Sequence, residues 1–292
     1  MIVEGDEGMY YGLLILAVVM FGVQFFFNDA YKKERGSDVT AALTLTFLSG
    51  IAGLICLVII NGFDISATPF TVIMGAVTAL NSVLFTFCSL KALEKINLSL
   101  FSVFTMLGGM MLPFVQGLIF YDEPMTVAKA LCLVFVILAL ALTVNKGGQR
   151  GGTVYYVGIF VLNGMSGVLS KLYQELPYEK SSSAVYSVWI AIMSSVMAFL
   201  CLLFMIRRLR LPSIKGVLFG MGYGSISRVA NYLLLLALVG LPSSVQYPFV
   251  TGGTMIVSTV ISVITGQKPS KKEILSVALS FAGILLLVFI PI

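Results

Sequence analysis

One residue in this chain could do strong chemistry in the middle of an apolar run. Arg228 lies in "GMGYGSISRVANYLLLL" (220–236). A charge at the centre of a bilayer costs about 2.5–3.5 kcal/mol on insertion scales, so such a residue must face a cavity or a partner. Helical spacing puts Gly224, Ser227, Arg228 and Asn231 on one face. No acidic residue lies deep in any apolar run to neutralise the guanidinium. It has two readings. One is a bidentate fork for the carboxylate or phosphate of a solute. The other is glue to the carbonyls of neighbouring helices.

Uncharged polar residues recur at midspan depth. They are Gln24 and Asn28, Asn81 and Ser82, Thr105 and Gln116, then Asn163, Ser166 and Ser170, and finally Gln246, Tyr247, Thr251 and Thr254. The substrate-binding candidates are Arg228, Asn231, Ser227, Gln24, Asn81, Asn163, Gln246 and Tyr247. For any one of them the plainer role is an interhelical hydrogen bond, worth about 0.6 kcal/mol on average. As a set they predict a wet central cavity. The pairs Gly108-Gly109 and Gly252-Gly253 allow close helix packing or a hinge, and Pro113 and Pro248 share their two runs. Glu123, just before an apolar run, is expected to serve as a helix N-terminal charge. Lys171 and Lys91, near run ends, are expected to snorkel, with a cavity-mouth role open to Lys171.

These residues need elements to hold them. The chain is 59% hydrophobic and 11% charged, with a mean hydropathy of +1.03. Soluble domains average about 25% charged residues. Ten apolar runs are legible: 9–30, 39–61, 67–92, 97–121, 124–144, 153–174, 181–206, 212–238, 243–266 and 271–290. Lipid offers the backbone no hydrogen bonds, so only helices or a closed barrel span it; runs this long without alternation are helices. The expected class is an all-α integral membrane protein of ten transmembrane helices. The acidic "MIVEGDEG" start lacks the positive region of a secretory signal, so the first run is expected to be a retained span.

A repeat relates the two halves at a shift of 144 to 145 residues. Tyr10-Tyr11 matches Tyr155-Tyr156, Gly22-Val23 matches Gly167-Val168, and Gly75 matches Gly220. Ser82 matches Ser227, Ala92-Leu93 matches Ala237-Leu238, and Gly108-Gly109 matches Gly252-Gly253. "FYDEPMT" (120–126) matches "ITGQKPS" (264–270). The halves are 1–146 and 147–292, joined through "NKGGQRGG" (145–152). Five runs per half is odd, so the second half is expected upside down relative to the first, as an inverted repeat. Loop charges agree. Lys32, Lys33 and Arg35 stand opposite Glu175, Glu179 and Lys180; Arg207, Arg208, Arg210 and Lys215 stand opposite a baseless loop at Asp64. The odd-numbered loops hold fourteen bases; the other side has Lys129 and Lys180, plus Lys171 near a run end. The positive-inside bias therefore puts loops 31–38, 207–215 and 266–273 in the cytoplasm of a plasma-membrane protein, with both termini outside.

Ten spans, two inverted halves and the acidic turn in "LIFYDEPMTVAKALCLVFVILALALTV" (118–144) resemble the drug/metabolite transporter superfamily, with its EamA-type branch the nearest. The closing segment "VISVITGQKPSKKEILSVALSFAGILLLVF" (260–289) is similar to the family's own. The resemblance covers nearly the whole chain and implies alternating access by a transporter, without naming a substrate. Two departures stand out. Gln267 occupies the second turn where the family usually has an acid, and family members typically keep both termini inside. Small multidrug carriers of the superfamily carry a carboxylate deep in the first helix, whereas "AVVMFGVQFF" (17–26) has none.

The expectation is a secondary carrier for a small-molecule solute, anionic or zwitterionic in preference to cationic. A multidrug or organic-cation exporter of the same fold is the alternative. An enzyme is not expected, because no cluster of Asp, Glu, His or Cys is visible and there are no histidines. A receptor would want an extramembrane domain, and a channel a filter motif. No GxxxxGK[ST] motif occurs, so transport is expected to run on an ion or solute gradient or by exchange; no cofactor is expected, and without histidines no His metal site. The net charge of +5 belongs to the loops rather than to a nucleic-acid surface. Cys56, Cys88, Cys132 and Cys201 read as small packing residues.

Overall fold

The computed structural model describes residues 7–36, 38–95, 98–143, 153–208, 210–264 and 271–289. Every apolar run is a helix: α1 (Glu7–Arg35), α2 (Val39–Ile60), α3 (Pro69–Lys95), α4 (Leu98–Phe120), α5 (Val127–Thr143), α6 (Thr153–Glu175), α7 (Ser183–Phe204), α8 (Ile214–Ala237), α9 (Ser243–Ile264) and α10 (Lys271–Phe289). A 3₁₀ turn covers Ile206–Arg208. Among the described residues four helical stretches are long and apolar enough to cross a membrane: Gly8–Arg35, Val39–Ile60, Pro69–Thr86 and Ser183–Phe204. Large apolar side chains such as Phe120, Phe204, Ile214 and Ile264 point outward. This is the exterior of a membrane protein, where lipid takes the place of a hydrophobic core's partner.

α1 departs from expectation by running on to Arg35. Its last turn carries Lys32, Lys33 and Arg35, which suit the negative end of a helix dipole. It stops where Gly36 takes a left-handed φ of 83°. Asp38 then caps α2 by accepting from the Thr40 N–H, and Arg35 bonds Asp38 at 3.2 Å and the Arg210 carbonyl at 2.5 Å. Burial pushes the Asp38 carboxyl up, but the Thr40 hydrogen bonds and Arg35 hold it below the ordinary carboxylate range. Ser182 and Ser213 cap α7 and α8 through the N–H groups of Val185 and Gly216.

The helices interlock across the two halves. α1 packs on α8 and α9, and α6 packs on α3 and α4. α2 packs on α7 and α8, and α7 on α2 and α3; α5 pairs with α10. Exchanging α1–α5 for α6–α10 carries each of these contacts onto another of them or onto itself. Small residues let the backbones meet. A Cβ on Gly224 would stand 2.1 Å from the Ser49 Cα, and one on Gly108 would stand 2.0 Å from the Phe160 carbonyl oxygen. Gly253 faces Val18 at 2.8 Å in the same sense. Gly108 and Gly253 therefore act in this structure as close-packing positions. Gly252 is buried beside them. The junction at 144–152 and the turn at 265–270 with Gln267 lie outside the described residues.

Candidate functional site: a central cavity and its sealed end

Arg228 owes its position to a missing side chain on the next helix. A Cβ on Gly53 of α2 would come 2.2 Å from the Arg228 Cγ, so the arginine stem lies in the groove that this glycine leaves. Its Nη2 donates to Ser194 Oγ of α7 at 2.8 Å, while that hydroxyl donates to the Ala191 carbonyl. Among the described residues Arg228 has no other hydrogen bond and no ion pair. The rest of the guanidinium lines a cavity of about 580 Å³.

The cavity gathers most of the sequence candidates. Arg228, Ser227 and Asn231 line it from α8, Gln24 from α1, Asn163 from α6 and Tyr247 from α9. Asn231 Nδ2 donates to the Ser227 carbonyl, and Asn163 Nδ2 to the Thr105 carbonyl at 2.7 Å. Two candidates do not line it. Asn81 is buried between α3 and α6, donating to the Leu162 carbonyl and Ser166 Oγ. Gln246 is fully buried and donates to the Leu234 carbonyl of α8. Gly224, on the predicted Arg228 face, is spent on the α2 contact. Sequence reasoning passed over α7 altogether. Its "YSVWIAIMSS" (186–195) supplies Tyr186 and Ser187 to the lining and Ser194 to the arginine. Serines at helical spacing in an apolar run were the available signal.

The lining reaches the surface beside Lys32 and exposed Gly36, at the α1–α2 turn. The other end is shut by aromatic rings. Tyr173 and Tyr186 stack at 3.8 Å, and Phe70 stacks on Tyr173 at 5.8 Å. Each hydroxyl is paired: Tyr173 with Thr71 and the Ser181 carbonyl, Tyr186 with Thr78, Tyr247 with the Gly167 carbonyl.

Beyond the rings lies a shallow depression of about 380 Å³, lined by Tyr121, Asp122, Glu123, Lys171 and Glu175 among others. Leu238 lines both it and the cavity, so the two lie back to back across the C-terminal end of α8. The turn after α4 builds this region. Asp122 takes a left-handed φ of 50°, which a short polar side chain tolerates, and the Glu123 N–H closes on the Gly117 carbonyl at 3.2 Å. The Glu123 carboxylate thereby folds back over Gly117 to the start of α9. There it accepts from the Ser243 N–H and Oγ, each at 3.0 Å, and from the Ser244 N–H at 2.9 Å. Glu123 is thus a helix N-terminal charge, but for α9 and not for the α5 that follows it in sequence. Chain proximity suggested α5; the reversal at Asp122 decides otherwise. Burial pushes the Glu123 carboxyl up, and the hydrogen bonds from Ser244 and Ser243 outweigh this and hold it below the ordinary carboxylate range.

Lys171 does not snorkel. It is 5% exposed, 3.6 Å from Glu123 and 2.9 Å from Glu175, with its Nζ 5.3 Å from the Tyr121 ring centre. The cluster ties the α4–α5 turn, the end of α6 and the start of α9 together. The Lys91 side chain lies outside the described residues. The four cysteines are free thiols.

No family model matches the chain, and no curated protein does. A solved structure described only as "Crystal structure of protein" superposes with a TM-score of 0.76 over 96% of each chain, at 15% identity. That likeness shows that the whole ten-helix arrangement is a fold already seen.

Proposed function

We propose that this chain is a secondary carrier of the drug/metabolite transporter type, EamA-like, with ten spans in two inverted halves in the plasma membrane. It moves a small anionic or zwitterionic solute by alternating access. The observation that carries the reading is Arg228: a guanidinium with one serine for a partner, facing a cavity within an apolar bundle. An unneutralised charge at that depth is expensive and is retained where it has a use. The interchange of α1–α5 with α6–α10 supports inverted halves, and inverted-repeat carriers hold their solute at the interface between repeats. The cavity opens beside Lys32, on the side rich in bases, so this conformation faces the cytoplasm. Rocking would part the Tyr173–Tyr186–Tyr247 layer and the Glu123–Lys171 contact, and join the cavity to the depression behind Leu238. A cation exporter is disfavoured, because Arg228 repels its cargo and no carboxylate among the described residues lines the cavity.

The test is counterflow in proteoliposomes with labelled anions and zwitterions, on wild type and Arg228→Gln together. The expected result is exchange of an anionic or zwitterionic solute that Arg228→Gln loses. Exchange of cations alone, or equal exchange by both proteins, would overturn the reading.

A further inference from the structure

Arg228 is one of two cations that line the cavity. The other is Lys32, half-buried at its open end. Among the described residues its ammonium makes no hydrogen bond and no ion pair. The acids nearest it in sequence are engaged elsewhere: Glu34 accepts from Ser213, and Asp38 from Arg35 and Thr40. No carboxylate among the described residues lines the cavity. Two positive charges therefore share one space with no counter-charge from the protein, and both draw anions into it.

The two charges are set end to end. α1 runs antiparallel to α8, with Glu34 facing Gly216, Tyr31 facing Gly220 and Phe27 facing Gly222. Lys32 is next to Tyr31, and Arg228 lies eight residues beyond Gly220, so their backbones stand about 12 Å apart along the bundle. Side chains lean toward the N-terminus of their own helix. For Lys32 that direction is into the bundle, and for Arg228 it is toward the cytoplasmic end, so the two heads lean toward each other. Ser194 holds the head of Arg228 and the Gly53 groove holds its stem, which anchors the guanidinium at depth. Between the two charges, Gln24 and Asn28 continue the Lys32 face of α1 at helical spacing, and both line the cavity.

We infer, resting on the carrier reading above, that the solute is a dianion with acidic groups at the two ends of a short chain, a dicarboxylate or a carboxylate bearing a phosphoryl group. One group takes the bidentate fork of Arg228 and the other takes the ammonium of Lys32. A zwitterion bound to Arg228 would set its ammonium against Lys32, and a monoanion would leave one cation unmatched. The cavity of about 580 Å³ holds one such dianion.

The experiment is calorimetric binding to the purified full-length protein. Succinate, glutarate, adipate and suberate are each set against the monocarboxylate of equal carbon number. The pair 3-phosphonopropionate and propylphosphonate is the phosphoryl arm, and 6-aminohexanoate is the zwitterion. At least one two-headed acid is expected to bind about tenfold or more tightly than its one-headed partner. The arm that shows the advantage tells a dicarboxylate from a phosphoryl acid. Lys32→Gln should bring that acid down to the level of its partner and Lys32→Arg should keep the advantage, with melting curves to check that both variants fold. Equal binding within every pair, tightest binding of 6-aminohexanoate, or an advantage that Lys32→Gln retains would overturn the dianion assignment and leave an Arg228-dependent carrier standing. Failure of every acid to bind, or Arg228→Gln binding as wild type does, would bring down the carrier reading and this inference together.

Discussion

Two charges inside this helix bundle are treated in opposite ways. Glu123, at the sealed end, accepts three hydrogen bonds from the start of α9 and faces Lys171, itself bound to Glu175. Arg228, in the cavity, has one serine. The hydroxyls of Tyr173, Tyr186 and Tyr247, in the aromatic layer that closes the cavity, are all paired. Buried unpaired polar atoms are found in both regions, on Gln24, Thr105 and Thr254 among the cavity-lining residues and on Arg35, Gln116, Ser244 and Gln246 elsewhere. The difference still teaches how to read a polar membrane interior. The saturated carboxylate of Glu123 holds helices together, while the guanidinium of Arg228 is left facing a cavity.

Arg228→Gln should break the comparison most sharply. Affinity for an anionic solute is expected to fall by about a hundredfold or more, roughly 2.7 kcal/mol, as charge-assisted bonds are lost. Thermal stability should change by less than about 1 kcal/mol, because the single bond to Ser194 is lost while an unneutralised charge inside the bundle is removed. Ligand titration and melting curves on the same preparation check both halves.

Glu123→Ala should show the reverse pattern. It leaves the Ser243 and Ser244 N–H groups without their acceptor and Lys171 with Glu175 alone, at a cost of about 1–3 kcal/mol. Adding Lys171→Met should restore part of that loss, as a double-mutant cycle would reveal. Additive losses would mean that the pair is not coupled.

Gly117→Ala should act on the same cluster more weakly. Its Cβ would stand 2.4 Å from Ser243 Oγ and 2.6 Å from Glu123 Oε2. A loss of about 1–2 kcal/mol is expected in wild type and little in Glu123→Ala, where the carboxylate is already gone.

The smallest effect is that of pH. The Glu123 pKa is depressed in the folded state, so its contribution is complete above the ordinary carboxylate pKa and fades as pH falls through the lower folded value. Melting temperature should therefore drop with acidification in that window. The slope should be shallower in Glu123→Gln.

Much of the fold was legible because helix formation in lipid is a local matter. Ten runs read from hydropathy coincide with ten helices to within about five residues at each end. The site was legible only in part. Asn81 and Ser82 are neighbours, yet Asn81 is locked between helices and Ser82 lines the cavity. Gln246 and Tyr247 part in the same way. One residue turns a helix by about 100°, and an all-apolar surround gives no polar face to fix the rotation. Ser194 was invisible as a partner, because its meeting with Arg228 depends on how α7 crosses α8.

Composition and hydropathy alone determined that the chain is helical, how many helices it has, and that one of them carries an unmatched cation. In lipid the backbone can satisfy its hydrogen bonds only in helices or a closed barrel, and long apolar runs without alternation leave only the helix. Only the tertiary structure decided that Glu123 caps α9, that Lys171 is buried in an ion pair, and which polar residues line the cavity. These depend on helix rotation and crossing, which are set by contacts between different helices and not by any one run of sequence.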